Sequence, residues 1–462
     1  MVVSLMMTLV VPLLPRFPRL LDTTASNATW LVTGTLLAGA VSNPVLGRLG
    51  DMYGKRRMLL LALATMSVGS VLGAVADGYA LVLVGRVLQG AAMGVIPLGI
   101  SIMRDELPEH RVGTGIALMS STLGIGGAIG LPLAGFVAQQ LSWRWLFVGS
   151  AIIGVLDLLL VLLVVRESEQ RPGGRFDLAG AAGLTVALGC LLLVISKGTA
   201  WGWTSTVTLG LAVVSVVAFV LWGRYELRTP GPLVDLRVSA RPAVLLTNIA
   251  SLLAGFAMFA SFVVSSQMLQ APAATGYGFG VSLVVSGLLL LPIGLTMTAF
   301  APLSARISRL RSPRLTVMLG GIVLLIGNVM RATLNGELAY VVVGVTVIGA
   351  GAALSYSALP MLIMQAVPMS ETAAANSLNA LMRTIGTSSC SAVVAAVTVA
   401  FTVDIAGRTY PSLSGYSVIF GLAAAAGLAS TLLAAALPAR HVRPAGARAD
   451  AAGQPALTAA PE

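Results

Sequence analysis

Charge is the scarcest commodity in this chain: of 462 residues only 10% are Asp, Glu, Lys or Arg, while 57% are hydrophobic. A water-soluble domain of that length needs about a quarter of its residues charged to cover its surface, so a soluble globular fold is excluded. Histidine is nearly absent, with only His110 and His441, both in polar segments, which leaves too few ligands for a zinc or haem centre. The two cysteines, Cys190 and Cys390, each lie inside an apolar run and no CxxC occurs, which excludes a disulfide framework. No G-x-x-x-x-G-K-[ST] loop is present, which argues against ATP hydrolysis. No metal or cofactor is expected.

What is present is long apolar sequence, with a mean hydropathy of +0.93. A bilayer core needs about 20 mostly apolar residues per span, and lipid forces each span to be helical. Fourteen such runs are read, approximately 1–21, 29–47, 57–76, 79–103, 112–138, 145–165, 177–196, 205–223, 243–268, 281–303, 315–334, 338–366, 374–403 and 416–437. The first is interrupted by Pro12, Pro15 and Pro18 and lacks the basic start and small-residue cleavage site of a signal peptide. The chain is therefore expected to begin within a longer first helix, which mass spectrometry of the native protein would reveal.

The net charge of +11 would suggest nucleic-acid binding in a soluble protein, but here the basic residues fill short gaps between apolar runs. With the amino terminus inside, twenty of the 28 Lys and Arg fall on the inner side. Six fall outside: Arg16, Arg19, Arg144, Lys197, Arg331 and Arg408. Arg86 and Arg383 lie within runs. This asymmetry predicts a multi-pass protein of the cell (inner) membrane with both termini cytoplasmic, and no nucleic acid as partner.

The runs group as six, two and six. The expected units are an amino-terminal bundle over 1–166, a linker with two additional spans over 167–242, a carboxy-terminal bundle over 243–438 and a disordered cytoplasmic tail over 439–462. The segments GRLGDMYGKRR and PLSARISRLRSPR occupy corresponding positions in the two bundles. Such repeats place a substrate path between the halves.

Several motifs carry more than topology. In Gly47-Arg48-Leu49-Gly50-Asp51-Met52-Tyr53-Gly54-Lys55-Arg56-Arg57, the glycines permit a tight interhelical turn, Asp51 can cap the positive end of a neighbouring helix, and the basic run faces anionic lipid. The pattern resembles the loop signature of the major facilitator superfamily. Arg86-Val87-Leu88-Gln89-Gly90 resembles that superfamily's R-x-x-Q-G motif; Arg86 either bonds carbonyls of the first helix as a structural group or, as the resemblance implies, relays the proton-coupled state change. The stretch from Gly124 to Gly135, with Gly126, Gly130, Pro132 and Gly135, is similar to the antiporter motif of the fifth helix, with its proline displaced by one residue. Asn376 to Gly386 looks like the penultimate helix of the fourteen-spanner drug:proton antiporter family, with Asn379 and Arg383 on one helix face.

That resemblance implies an all-α integral membrane protein of major-facilitator type: two six-helix bundles plus two central helices, acting as a monomer. It implies no enzyme but a secondary active transporter, exporting small organic molecules such as drugs or antibiotics in exchange for protons by alternating access. An apolar cavity would suit apolar or cationic compounds. A specific metabolite carrier of the same fold stays open; a membrane-embedded enzyme or a transporter-like sensor is remote, for lack of converging catalytic groups and of a soluble domain. One departure matters. Where fourteen-spanners carry an aspartate in the first helix, this chain has Leu5-Met6-Met7-Thr8. Asp157 is then the one carboxylate well inside a run, and Arg86, Asp157 and Asp22 are the proton-coupling candidates, with Asp51 a further carrier near the surface. Gln89, Asn248, Gln267, Tyr356, Asn379 and Arg383 are candidates for the substrate cavity, or else polar glue between helices.

Overall fold

A run of 20 to 30 apolar residues can satisfy its own peptide groups only as a helix, and capping residues decide where each helix starts. The computed structural model describes residues 2–10, 13–14, 16–167, 176–368, 371–405 and 407–437. Thr24, Asp177, Ser205, Ser282, Ser312 and Ser412 each accept a backbone N–H from the first turn of a long helix. In chain order the helices are α1 (Val2–Leu9), α2 (Phe17–Leu20), α3 (Ala25–Tyr53), α4 (Lys55–Val75), α5 (Tyr79–Ala91) and α6 (Val95–Glu106). There follow α7 (Glu109–Gln140), α8 (Arg144–Val164), α9 (Leu178–Trp201), α10 (Thr206–Glu226), α11 (Leu236–Ser239) and α12 (Pro242–Gln270). The last are α13 (Leu283–Leu310), α14 (Pro313–Thr333), α15 (Leu338–Ala366), α16 (Thr372–Ala400) and α17 (Leu413–Ala436). One 3-10 turn joins α5 to α6, which together form one span.

Thirteen helices among the described residues are long and apolar enough to cross a membrane, against the fourteen runs read from sequence. The difference lies in residues 1–21. There α1 has eight residues, about 12 Å at 1.5 Å per residue, and the short α2 carries Pro18 in its first turn. Pro18 is tolerated there, since the first turn has no use for its missing backbone donor; residues 11, 12 and 15, between the two short helices, lie outside the described residues. The thirteenth run was also read too far: α16 ends at Ala400, and Thr402–Ile405 pairs antiparallel with Arg408–Pro411 as hairpin strands β1 and β2. The tail over 439–462 and much of the polar stretch Arg166–Arg175 lie outside the described residues.

In the first half α4 packs on α5 and α8, α3 on α5, and α1 on α7. In the second half α14 packs on α15 and α17, α12 on α16 and α17, and α13 on α15. The halves meet along α7 with α13 and α3 with α16. The additional pair, α9 and α10, pack on each other, and α9 leans on α3 and α16, one helix from each half. Leu184, Leu188 and Leu192 of α9 form an apolar cluster there with Ala40 and Leu381. By contrast α8 and α10 keep most of their apolar side chains exposed, including Leu160, Leu163, Val213 and Val216, a surface suited to lipid.

Candidate functional site

The site has two parts: a latch at the basic end of the molecule and a cavity between the halves. The latch begins with backbone geometry. Gly47 lies where α3 crosses α16; an added Cβ there would sit 2.3 Å from the Ser377 hydroxyl and 2.8 Å from the Ala373 carbonyl, so only glycine lets the two helices come this close. Gly54, at φ +113°, turns the chain from α3 into α4 in a conformation that other residues resist. Between them Asp51, fully buried, accepts the backbone N–H groups of Ala373 at 3.1 Å and Ala374 at 2.8 Å. These are first-turn donors of α16, so a carboxylate of the first half neutralises the positive end of a helix in the second.

The basic residues after Asp51 brace this arrangement. Lys55, also buried, donates to Asp105 at 2.7 Å and lies 3.9 Å from Asp51. Glu167, beyond the end of α8, accepts the Arg56 backbone N–H at 3.2 Å, lies 3.7 Å from the Arg57 guanidinium, and fills the space beside Gly54. Arg56 also donates to the Leu162 carbonyl. Two further bonds cross between the halves: Arg104 to Thr372 at 2.7 Å and Ser120 to the Tyr356 carbonyl at 3.2 Å. The corresponding turn between α13 and α14 has no acid; its Arg314 instead donates to the Ala434 and Ala435 carbonyls at the end of α17.

The cavity, about 200 Å³, is lined by Ser4 of α1, Leu123, Gly124 and Gly127 of α7, Met258, Phe259 and Phe262 of α12, Ile293 of α13, Tyr356 of α15, and Arg383, Thr384 and Thr387 of α16. It therefore draws on both halves. Of the six cavity candidates read from sequence, Tyr356 and Arg383 line it, with the Arg383 guanidinium over the Tyr356 ring at 5.0 Å. The other four are elsewhere. Gln89 is buried between Arg86 and Ser70. Asn379 donates to Asn248 at 3.0 Å and takes a hydroxyl from Ser251, which ties α16 to α12. Gln267 is exposed at the far end of α12.

Arg86 is fully buried and forks across three helices. Its Nε donates to the Leu31 carbonyl of α3, and its Nη1 to the Met6 carbonyl of α1 and to Gln89. Asp157 is half-buried on α8, outside the cavity lining and without a hydrogen bond or ion pair among the described residues. Asp22 is exposed in the turn before α3, with φ +45°. In α7, Gly126 and Gly130 are buried, Pro132 packs against Gly287 of α13, and Gly135 against Val284.

Sequence reasoning missed two buried cations by placing them at outer helix ends. Lys197 of α9 donates to Thr29 and sits 4.8 Å over the Trp30 ring. Arg331 of α14 meets Ser265, the Leu334 carbonyl and Asn335, and stacks 5.0 Å over Phe420. Ordinary polar neighbours such as Ser196 and Thr333 made both look like helix ends, and the partners Thr29, Trp30, Ser265 and Phe420 lie on other helices. Phe259 and Phe262 read as ordinary apolar residues, and only packing shows that they face the cavity.

Relatives agree with this architecture. "Multidrug resistance protein Stp" of Mycobacterium tuberculosis is 27% identical over 391 residues, covering 84% of this chain and 72% of its own. "Multidrug export protein EmrB" of Haemophilus influenzae is 28% identical over 369 residues, covering 78% and 71%. The crystal structure titled human organic anion transporter MFSD10 (TETRAN) superposes with a TM-score of 0.64 over 94% of this chain and 97% of that one; at 17% identity the likeness speaks for the fold alone. The profile of the Major Facilitator Superfamily matches residues 1–391, from α1 through the latch and cavity into α16, and this chain is a member of that family of multi-pass membrane transporters for small molecules, not an enzyme.

Proposed function

We propose that the protein is an exporter of small organic molecules that works by alternating access, takes protons inward in exchange, and acts as a monomer in the cell membrane. The observation behind this reading is the latch: a single buried carboxylate of one half holds the end of a helix of the other, beside a cavity that both halves line. Breaking it lets the halves part at that end. The excess of Lys and Arg at the latch end makes it the cytoplasmic side, with both termini there. In this conformation the path is closed toward the cytoplasm. The units proposed are 1–166 and 243–438 as the rocking halves, 167–242 as the additional pair that travels between them, and 439–462 as a tail. Export rather than uptake fits what the names of the bacterial relatives say of those proteins.

The test is an accumulation panel of drugs and antibiotics in an efflux-deficient bacterium, with and without an uncoupler. Expression is expected to lower accumulation of some compounds, and the uncoupler to restore it. Unchanged accumulation across the panel would remove the export reading.

For coupling we propose Arg86 over the two acids, because it alone of the three joins α3 and α5 to α1, the helix whose Ser4 lines the cavity. Asp157 sits on the peripheral α8, and Asp22 at the surface. Asp157→Asn is accordingly expected to keep pH-dependent transport within about twofold of the parent, as for a group that touches neither substrate nor path. A flattened pH profile in proteoliposomes would return the proton to Asp157.

A further inference from the structure

The cavity holds a cation and no anion. Among the described residues no Asp or Glu lines it, and the first-helix stretch Leu5-Met6-Met7-Thr8 brings no acid to it. Arg383 is partly buried there with no hydrogen bond and no ion pair among the described residues; its one neighbour of note is the face of the Tyr356 ring. The other polar side chains of the lining are already engaged. Ser4 gives its proton to the Leu123 carbonyl at 2.5 Å, Thr384 to Ala380 at 3.1 Å and Thr387 to Thr384 at 2.8 Å. The Tyr356 hydroxyl makes no hydrogen bond among the described residues. Two free donors, one of them charged, thus face a space whose remaining walls are Met258, Phe259, Phe262, Ile293 and Leu123.

A guanidinium taken out of water without a counter-charge is costly, and a protein that keeps one in a substrate path has left the counter-charge to be supplied. Resting on the reading of this cavity as the substrate site, we propose that the transported compounds are amphipathic organic anions: aromatic acids whose carboxylate or acidic phenolate oxygen pairs with Arg383 and takes the Tyr356 hydroxyl, while the ring body lies against Phe259 and Phe262. A planar fork of N–H donors matches a carboxylate, and the phenylalanine faces match an aryl ring. A cationic compound would meet Arg383 as a like charge, and a neutral one would leave it unpaired. A volume of about 200 Å³ admits one or two fused rings; larger acids require the halves to part further. The expectation of apolar or cationic substrates, drawn from the apolar runs alone, is revised by this one side chain.

The experiment uses three ligands of one shape: naphthoate, naphthamide and a naphthyl trimethylammonium salt. Binding is measured by equilibrium dialysis to the full chain in lipid nanodiscs. Naphthoate is expected to bind at least about tenfold more tightly than naphthamide, the size of one charge-assisted hydrogen bond, with the ammonium weakest. In Arg383→Gln the preference is expected to vanish, and in Arg383→Lys, which keeps the charge, to survive in part. Equal binding of acid and amide by the parent, tightest binding of the ammonium, or a preference unaltered in Arg383→Gln would each overturn the proposal. Gly127→Leu separates this from the cavity reading itself. Among the described residues an added Cβ at Gly127 meets the Ser4 hydroxyl at 3.8 Å, an ordinary contact, so the larger side chain starts out into the cavity that Gly127 lines. All three ligands are expected to be lost. If naphthoate binds undiminished with the cavity filled, the substrate site lies elsewhere and both readings fall; if all are lost but the parent shows no charge preference, only the anion proposal falls.

Discussion

Asp51→Asn is expected to lower export at least about tenfold while leaving membrane insertion and folding intact. The carboxylate accepts two N–H groups of α16 at once. An asparagine offers one oxygen, and its amide group turns donors toward donors. Hydrogen bonds to a charged group are worth about 1.5–3 kcal/mol, and a carboxylate at a helix N-terminus adds up to about 2 kcal/mol in a partly buried setting. Losing about 2–3 kcal/mol from one of two nearly balanced states shifts their ratio by about 30- to 150-fold. The latched end then stays open for most of the cycle. Folding survives because Lys55 keeps Asp105 at 2.7 Å, so no buried cation is stranded. The open state can be read directly. Ser377 is fully buried against Gly47, and a cysteine placed there, in a background lacking Cys190 and Cys390, reports access from the latch end. Its alkylation by a membrane-impermeant maleimide is expected to speed up about tenfold or more in the Asp51→Asn background. A variant that exports and labels at parental rates would show that the contact is incidental to the cycle.

The latch was legible because its chemistry is local: three glycines, an acid and a basic run in eleven residues dictate a tight turn with a charge at its centre. The residues that complete it were not. Glu167, Asp105, Thr372 and the N–H of Ala373 come from other parts of the chain, more than 40 residues away from Asp51, and no spacing rule links them. The spans were legible for a similar reason, since lipid allows only long apolar helices; their ends were harder to read, as where the run read to 403 stops at Ala400 and a short hairpin follows over Thr402–Pro411, its four-residue alternation too brief to stand out beside an apolar run. Cavity residues were the hardest. A polar side chain in an apolar run must find a partner, but sequence does not say whether that partner is a neighbouring helix, as for Asn248 and Asn379, or an empty space, as for Arg383. The direction each helix face points is decided by packing between the halves, through pairs such as Ser120 and Tyr356, 236 residues apart.

Replacing Arg86 is expected to have the other large effect, and the choice of substituent decides what kind. The guanidinium is fully buried and reaches carbonyls on α1 and α3 as well as Gln89, which in turn holds Ser70 of α4 at 2.9 Å. Three helices of the first half thus meet at one planar group, and Gln89 ties in a fourth, α4. Arg86→Met removes the fork but also removes the cost of a buried cation with no carboxylate beside it, so the loss of stability should be modest, about 1–3 kcal/mol. Gradient-driven export, however, is expected to fall at least about thirtyfold, because α1 loses its hydrogen bond to α5 and with it a fixed position against α3. Arg86→Lys keeps the charge but cannot fork; a single ammonium reaches one or two of the three acceptors. It is expected to fail nearly as badly as methionine, which separates geometry from charge. Ligand affinity at the cavity should stay within about threefold in both variants, since Arg86 does not line it. The measurements are proton-driven export in proteoliposomes and binding to the same preparations. Full export by Arg86→Lys would mean that charge alone suffices, and the fork of the guanidinium across three helices would then have no part in transport.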